Sequence, residues 1–281
     1  MLKKIALAAG IFTTVGIVGL TTTAFTQDGI SWENVMGKQY AFDENKSAEA
    51  EKVQKIQVEV GSADITVKQG AGDQIKVRLH GEGNKKGIQK MKLELVEDND
   101  ALKIRTKSNH FGWFTYINAK LDVIVPEKLY DQIAVETGSG DITVENVKSK
   151  QIEVEASSGD LHMSGLTAEK INLHVSSGDI YGERLTGEVK TESSSGDTFL
   201  KLTEVAHNIN LDSSSGDIEV TIEKEPTNMA LDFKSSSGDG RVSIPMNYEE
   251  KTSDEIRGKV GAGTHQMQVR ISSGDFTLHT N

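Results

Sequence analysis

A Ser-Gly-Asp tripeptide recurs along this chain at a near-constant interval, and few folds accommodate that. It ends at Asp141, Asp160, Asp179, Asp197, Asp217, Asp239 and Asp275, with spacings of 19, 19, 18, 20, 22 and 36 residues, the last being twice 18. Gly61-Ser62-Ala63-Asp64 is an eighth, degenerate copy. Self-similarity at such a period marks a stacked array of small units, none of which buries its own apolar face alone.

The flanks repeat in register with the aspartate. One residue after it stand Ile65, Ile142, Leu161, Ile180, Thr198 and Ile218; six and eight before it stand pairs such as Ile152 with Val154 and Ile171 with Leu173. Polar residues fill the alternate positions, and a period of two is a strand with one buried face. Each unit therefore reads as strand, corner, strand, second turn. At the corners, Gly140, Gly159, Gly178, Gly196, Gly216, Gly238 and Gly274 supply a positive φ, while serine and aspartate side chains accept backbone N–H groups. The fold class expected is all-β, a parallel β-solenoid (β-helix) with two-strand coils of about 19 residues. An antiparallel meander is the alternative; it explains the alternation but not the recurring corner.

Four regions follow. Residues 127–281 form the repeat solenoid, in which residues 248–263 match no template position and read as a loop or cap insertion beside a missing coil. Residues 53–126 carry strands outside the repeat register, at 75–79, 91–96, 102–106 and 121–125, and read as an N-terminal β cap over the stack's open edge. Residues 28–52 are polar and read as a linker. Residues 1–27 read as a single N-terminal transmembrane or signal helix. Lys3 and Lys4 precede an uncharged run from Ile5 to Phe25, long enough at about 1.5 Å per residue to cross a bilayer. The charge order places the rest outside the cytoplasm. Thr22 and Ala24 offer the small residues of a cleavage site, so a secreted form is the second reading.

Composition narrows the chemistry. The 31 Lys and Arg against 42 Asp and Glu leave a net charge of −11, which disfavours nucleic acid as a partner. With no cysteine there is no disulfide, thiol nucleophile or Cys-ligated metal. Asp160 and Asp179 resemble the carboxylate pair of a glycan-cleaving β-helix, but catalysis needs one singular pair and this aspartate recurs in every coil. Calcium needs six to eight oxygens, and one carboxylate per coil supplies too few on its own. The repeated side chains read instead as a hydrogen-bonded serine and aspartate ladder. The seven histidines show no metal spacing. No catalytic residue, metal site or cofactor is expected. Two places could meet a partner: outward strand positions such as Thr143, Tyr181, Phe199, Glu219 and Arg241, and the cluster Phe111, Trp113, Phe114 and Tyr116. That cluster reads either as a plug on the solenoid end or as a contact loop.

The corner runs, the Gly61–Val67 copy and the segment Leu121–Pro126 together resemble the bacterial putative-adhesin domain, a domain of unknown function found in LiaG-like membrane-anchored proteins of Firmicutes. The resemblance spans residue 52 to the C-terminus. It implies a cell-envelope role linked to envelope stress sensing, with a cell-wall polymer or an envelope protein as partner, and it brings no catalytic residue.

Overall fold

The computed structural model describes residues 12–16, 38–108 and 116–281. The chain before the repeats gives β1 (Phe12–Gly16), β2 (Gln39–Glu49), β3 (Lys55–Ser62), β4 (Asp64–Gly70), β5 (Gln74–Asn84), helix α1 (Lys85–Lys90), β6 (Met91–Asp98), β7 (Ala101–Ser108) and β8 (Ile117–Pro126). Five paired units follow: β9 (Leu129–Ser139) with β10 (Ile142–Glu145), β11 (Lys148–Ser158) with β12 (Leu161–Ser164), β13 (Thr167–Ser177) with β14 (Ile180–Glu183), β15 (Thr186–Ser195) with β16 (Thr198–Leu202), and β17 (Ile209–Ser215) with β18 (Ile218–Ile222). The chain ends with β19 (Met229–Ser237), β20 (Gly240–Val242), β21 (Asn247–Lys251), β22 (Glu255–Val260), β23 (His265–Ser273) and β24 (Phe276–Thr280).

These strands build two sheets of 12. Sheet A takes the strand after each corner, in the order β4-β10-β12-β14-β16-β18-β24-β20; sheet B takes the strand before it, in the order β3-β9-β11-β13-β15-β17-β23-β19. All these neighbours are parallel, and apart from one shift between Thr167 and Lys170 where β13 meets β15 they are in register, with Ile142 opposite Leu161, Leu161 opposite Ile180 and Ile152 opposite Ile171. The parallel solenoid is therefore the architecture, and a meander is not. Between the sheets runs one continuous core of isoleucine, leucine and valine, including Ile56, Ile133, Val144, Ile152, Leu161, Ile180 and Val220, each at most 2% exposed.

Coil order in space differs from coil order in sequence. β23 lies between β17 and β19, and β24 between β18 and β20. The last coil of the chain is thus inserted between the Asp217 and Asp239 coils. The 36-residue gap does not contain a missing coil, as the spacing suggested. It contains a hairpin, β21 antiparallel to β22 and β22 antiparallel to β19, that closes the sheet B end before the chain returns.

At the other end the sheets continue beyond the repeat and turn antiparallel. On sheet A, β8 is parallel to β4, and then β5 is antiparallel to β8, β2 to β5 and β1 to β2; on sheet B, β7 is parallel to β3 and β6 is antiparallel to β7. Residues 53–70 belong to the stack as its first coil, so the cap proper runs from β5 to β8. The expected linker is corrected here: residues 39–49 form an eleven-residue strand paired throughout with β5. Its side chains are mostly half-buried and only Ala48 is fully covered, so it shows none of the apolar alternation that announces a strand. Of the expected N-terminal helix, only residues 12–16 are described, and their backbone is extended; the rest of it lies outside the described residues. Among the described residues, no helix is long and apolar enough to cross a membrane.

Candidate binding surface

The corner carboxylates are the ionisable groups that recur in every coil. Each repeat glycine has φ between 125° and 141°, where side chains are rarely tolerated. A second constraint comes from stacking. A Cβ on Gly159, Gly178, Gly196, Gly216, Gly274 or Gly238 would stand 2.0 to 2.2 Å from the glycine carbonyl oxygen of the preceding coil. Ala63, in the degenerate first copy, has no coil of this type before it and no positive φ.

The aspartates form one ladder. Oδ1 of Asp64 accepts the backbone N–H of Asp141 at 3.3 Å. The same bond then runs from Asp141 to Asp160, Asp179, Asp197, Asp217, Asp275 and Asp239 in spatial order, at 2.8 to 2.9 Å. The ladder follows the inserted coil, not the sequence. Its donors are backbone N–H groups; among the described residues no serine hydroxyl bonds to these carboxylates, which corrects the expected serine contribution. Each repeat glycine N–H except that of Gly238, in the end coil, bonds to a serine carbonyl of the next coil, as Gly159 does to Ser177 at 3.0 Å. The inner corners thus meet their backbone polar requirements in the same way, and Asp160 and Asp179 both spend Oδ1 on the ladder, with the Tyr181 hydroxyl added on Oδ2 of Asp179. Among the described residues, no group of three or more His, Cys, Asp or Glu side chains could hold a metal ion.

The outer face of sheet A is different, because there the coils differ from one another. Side chains two residues after the corner aspartate point outward and align along the stack. In successive coils these are Thr143, His162, Tyr181, Phe199 and Glu219, paired in register. The three rings stack in series: His162 and Tyr181 have centroids 5.0 Å apart with planes 7° from parallel, and Tyr181 and Phe199 are 5.2 Å apart at 9°. Parallel strand spacing, about 4.8 Å, sets this distance directly. Tyr181 is 37% exposed, one of few large apolar side chains so open. The row lines an open groove of about 340 Å³ whose other wall includes Glu145, Glu183 and Lys201.

Tyr181 joins the stack to the ladder. Its hydroxyl donates to Oδ2 of Asp179 at 3.0 Å, and that bond, helped by the charges of Asp179, Asp160 and Asp197, raises its pKa above 10.0. Glu183 pairs with Arg184 at 2.8 Å, Lys201 with Glu223 at 3.4 Å, and Glu219 lies 3.8 Å from His279. The outward positions Tyr181, Phe199 and Glu219 were readable from the repeat. His162 was readable as outward but not as part of a stack; the signal was its alignment with Tyr181 and Phe199 at the same offset in three consecutive copies. Of the aromatic cluster, Phe111, Trp113 and Phe114 lie outside the described residues. Tyr116 is half-buried, and its carbonyl accepts the N–H of Asn84 at 3.0 Å.

A family model described as Toastrack DUF4097 matches residues 53–184 and, a second time, 174–279. No curated protein matches the chain. Among solved structures, one described as a putative cell adhesion protein from Clostridium sporogenes is 12% identical, with a TM-score of 0.42, covering 85% of this chain and 99% of that one. A putative adhesin from Bacteroides fragilis is 14% identical at a TM-score of 0.45, covering 85% and 97%. A putative lipid binding protein from Parabacteroides distasonis is 14% identical at 0.45, covering 85% and 96%. Likenesses this distant say nothing about what this chain binds.

Proposed function

The chain belongs to the Toastrack DUF4097 family, and from that premise we propose that it is a non-catalytic binding protein of the bacterial cell envelope whose ligand seats on the outer face of sheet A. The observation that carries this reading is the His162–Tyr181–Phe199 stack. A solenoid gains nothing in core stability from rings on its outer face. Exposed aromatic rings beside a groove are what partner surfaces use. The reading as a binder and not an enzyme is supported by the corner carboxylates, which from Asp64 to Asp275 each spend one oxygen on holding the next coil.

We place the repeat domain outside the cytoplasmic membrane, held by residues 1–27 or released if they are cleaved. Support comes from Lys3, Lys4 and the apolar run that follows them. A part in envelope stress sensing, as an accessory to a membrane sensor, belongs to the same proposal; the cluster Phe111–Tyr116 would be its second contact.

The test is cross-linking on intact cells that express the full chain, comparing wild type with the double variant Tyr181→Ser/Phe199→Ser at matched levels. The expected result is loss of the cross-linked species in the variant with its melting temperature held. The same set of species in both would reject this face as the binding surface.

A further inference from the structure

We propose that the sheet A groove takes an extended, arginine-bearing segment of a partner protein, with guanidinium groups seated against the open end of the ring stack. This rests on the reading of that face as the binding surface and adds the chemistry of what binds.

The stack's geometry decides which ring surfaces are available. With planes nearly parallel and centroids about 5 Å apart, Tyr181 has both faces covered, by His162 and Phe199. The outer faces of His162, toward Thr143, and of Phe199, toward Glu219, meet no further ring among the described residues, and the groove is lined by both neighbours. A ring face carries the negative end of the aromatic quadrupole and attracts cations, most of all a planar guanidinium that can stack. Beyond the Phe199 face the next residue in the row is Glu219. A guanidinium there has a ring on one side and a carboxylate within reach.

Charge on both flanks points the same way. On the corner side, Asp160, Asp197 and Asp217 each spend one oxygen on the ladder. Among the described residues, no Lys or Arg pairs with any of the three. On the far side, Glu145 has no basic partner among the described residues, while the cations nearby, Arg184 and Lys201, are each paired with a glutamate. The groove is therefore a row of three rings flanked by unpaired carboxylates, Asp160, Asp197 and Asp217 on the corner side and Glu145 on the other. An anionic polymer would meet like charge along this face, and a neutral glycan would make no use of the carboxylates. Lysine suits it less than arginine, since an ammonium lacks the flat face that continues a stack.

The experiment is a titration of the purified full chain with fluorescein-labelled hexa-arginine at low and physiological salt, with hexa-lysine in parallel. Hexa-arginine should bind more tightly than hexa-lysine. Phe199→Leu, which keeps apolar bulk but removes the ring face, should weaken it about fivefold. Glu153→Gln, which removes one charge from the opposite sheet, should leave it unchanged. Equal affinities in wild type and Phe199→Leu, or no hexa-arginine binding at all, would overturn the proposal. If cross-linking on cells still depends on Tyr181 and Phe199 while hexa-arginine binding does not, the ligand class fails and the binding face stands. If neither depends on these residues, both readings fail together.

Discussion

Each corner aspartate but Asp239, the last in the stack, does with Oδ1 what a strand does with a carbonyl: it receives the N–H of the coil stacked on it. Neighbouring carboxylates about 4.8 Å apart repel by roughly 1 kcal/mol in water, whereas a hydrogen bond to a charged group contributes about 1.5–3 kcal/mol. The bond wins, and this separates the oxygen from the charge. Asp160→Asn keeps an acceptor for the Asp179 N–H and sheds the repulsion, so its melting temperature should match or exceed that of wild type. Asp160→Ala strands that N–H and should cost about 1–3 kcal/mol in denaturant unfolding. Equal stability of the two variants would mean the ladder does not hold the coils. The Asp197 coil has a different weakness: the Thr198 hydroxyl is buried with no hydrogen-bond partner, at a position where neighbouring coils carry Ile180 and Ile218. Thr198→Val should stabilise by about 1 kcal/mol, seen as a shifted denaturation midpoint with an unchanged slope.

Among the elements, Lys190 and Glu192 sit two apart on β15 and so share its outer face, where they pair. His174 on β13 adds a contact to Glu192 at 3.4 Å. The Lys190 hydrogen bond is the main reason the Glu192 carboxyl titrates below its ordinary value of 4.5. A carboxyl lowered on folding contributes stability above its unfolded pKa and loses it as pH falls through the folded one. Stability of the wild type should therefore drop more steeply below pH 4.5 than that of Glu192→Gln; parallel curves would show the pair to be inert. The gap at neutral pH should stay within about 1 kcal/mol, as for other exposed pairs. Element by element, the chain was readable wherever a strand buries one face against the stack, which is why β3 to β18 were visible as alternating apolar residues. β2 was not, because both its faces are half-covered and Asp43, Glu44 and Lys46 look like solvated linker. The place of β23 and β24 was hidden for another reason. Spacing along the chain measures how many residues separate two corners, and carries no information about which coils touch.

For the molecule as a whole, that insertion matters most. Met267, Val269, Ile271, Phe276 and Leu278 of the last coil are buried, and Phe276 stacks on Phe233 of the coil beyond it with centroids 5.1 Å apart. At about 1.5–3 kcal/mol per side chain, their removal costs on the order of 10 kcal/mol, the scale of a whole domain's stability. A chain ending at residue 264 should lose its cooperative thermal transition and associate on a sizing column. A transition as sharp as that of the full chain, from a monomer, would show that the Asp239 coil stands without its neighbour. Ribosomes deliver residues in order, so the segment from 229 to 264 emerges before β23 and β24, the coil that joins it to the stack. Residues 265–280 are thus the layer that joins the hairpin-capped coil to the rest of the stack, and a nascent copy without them bares the apolar edges of two coils.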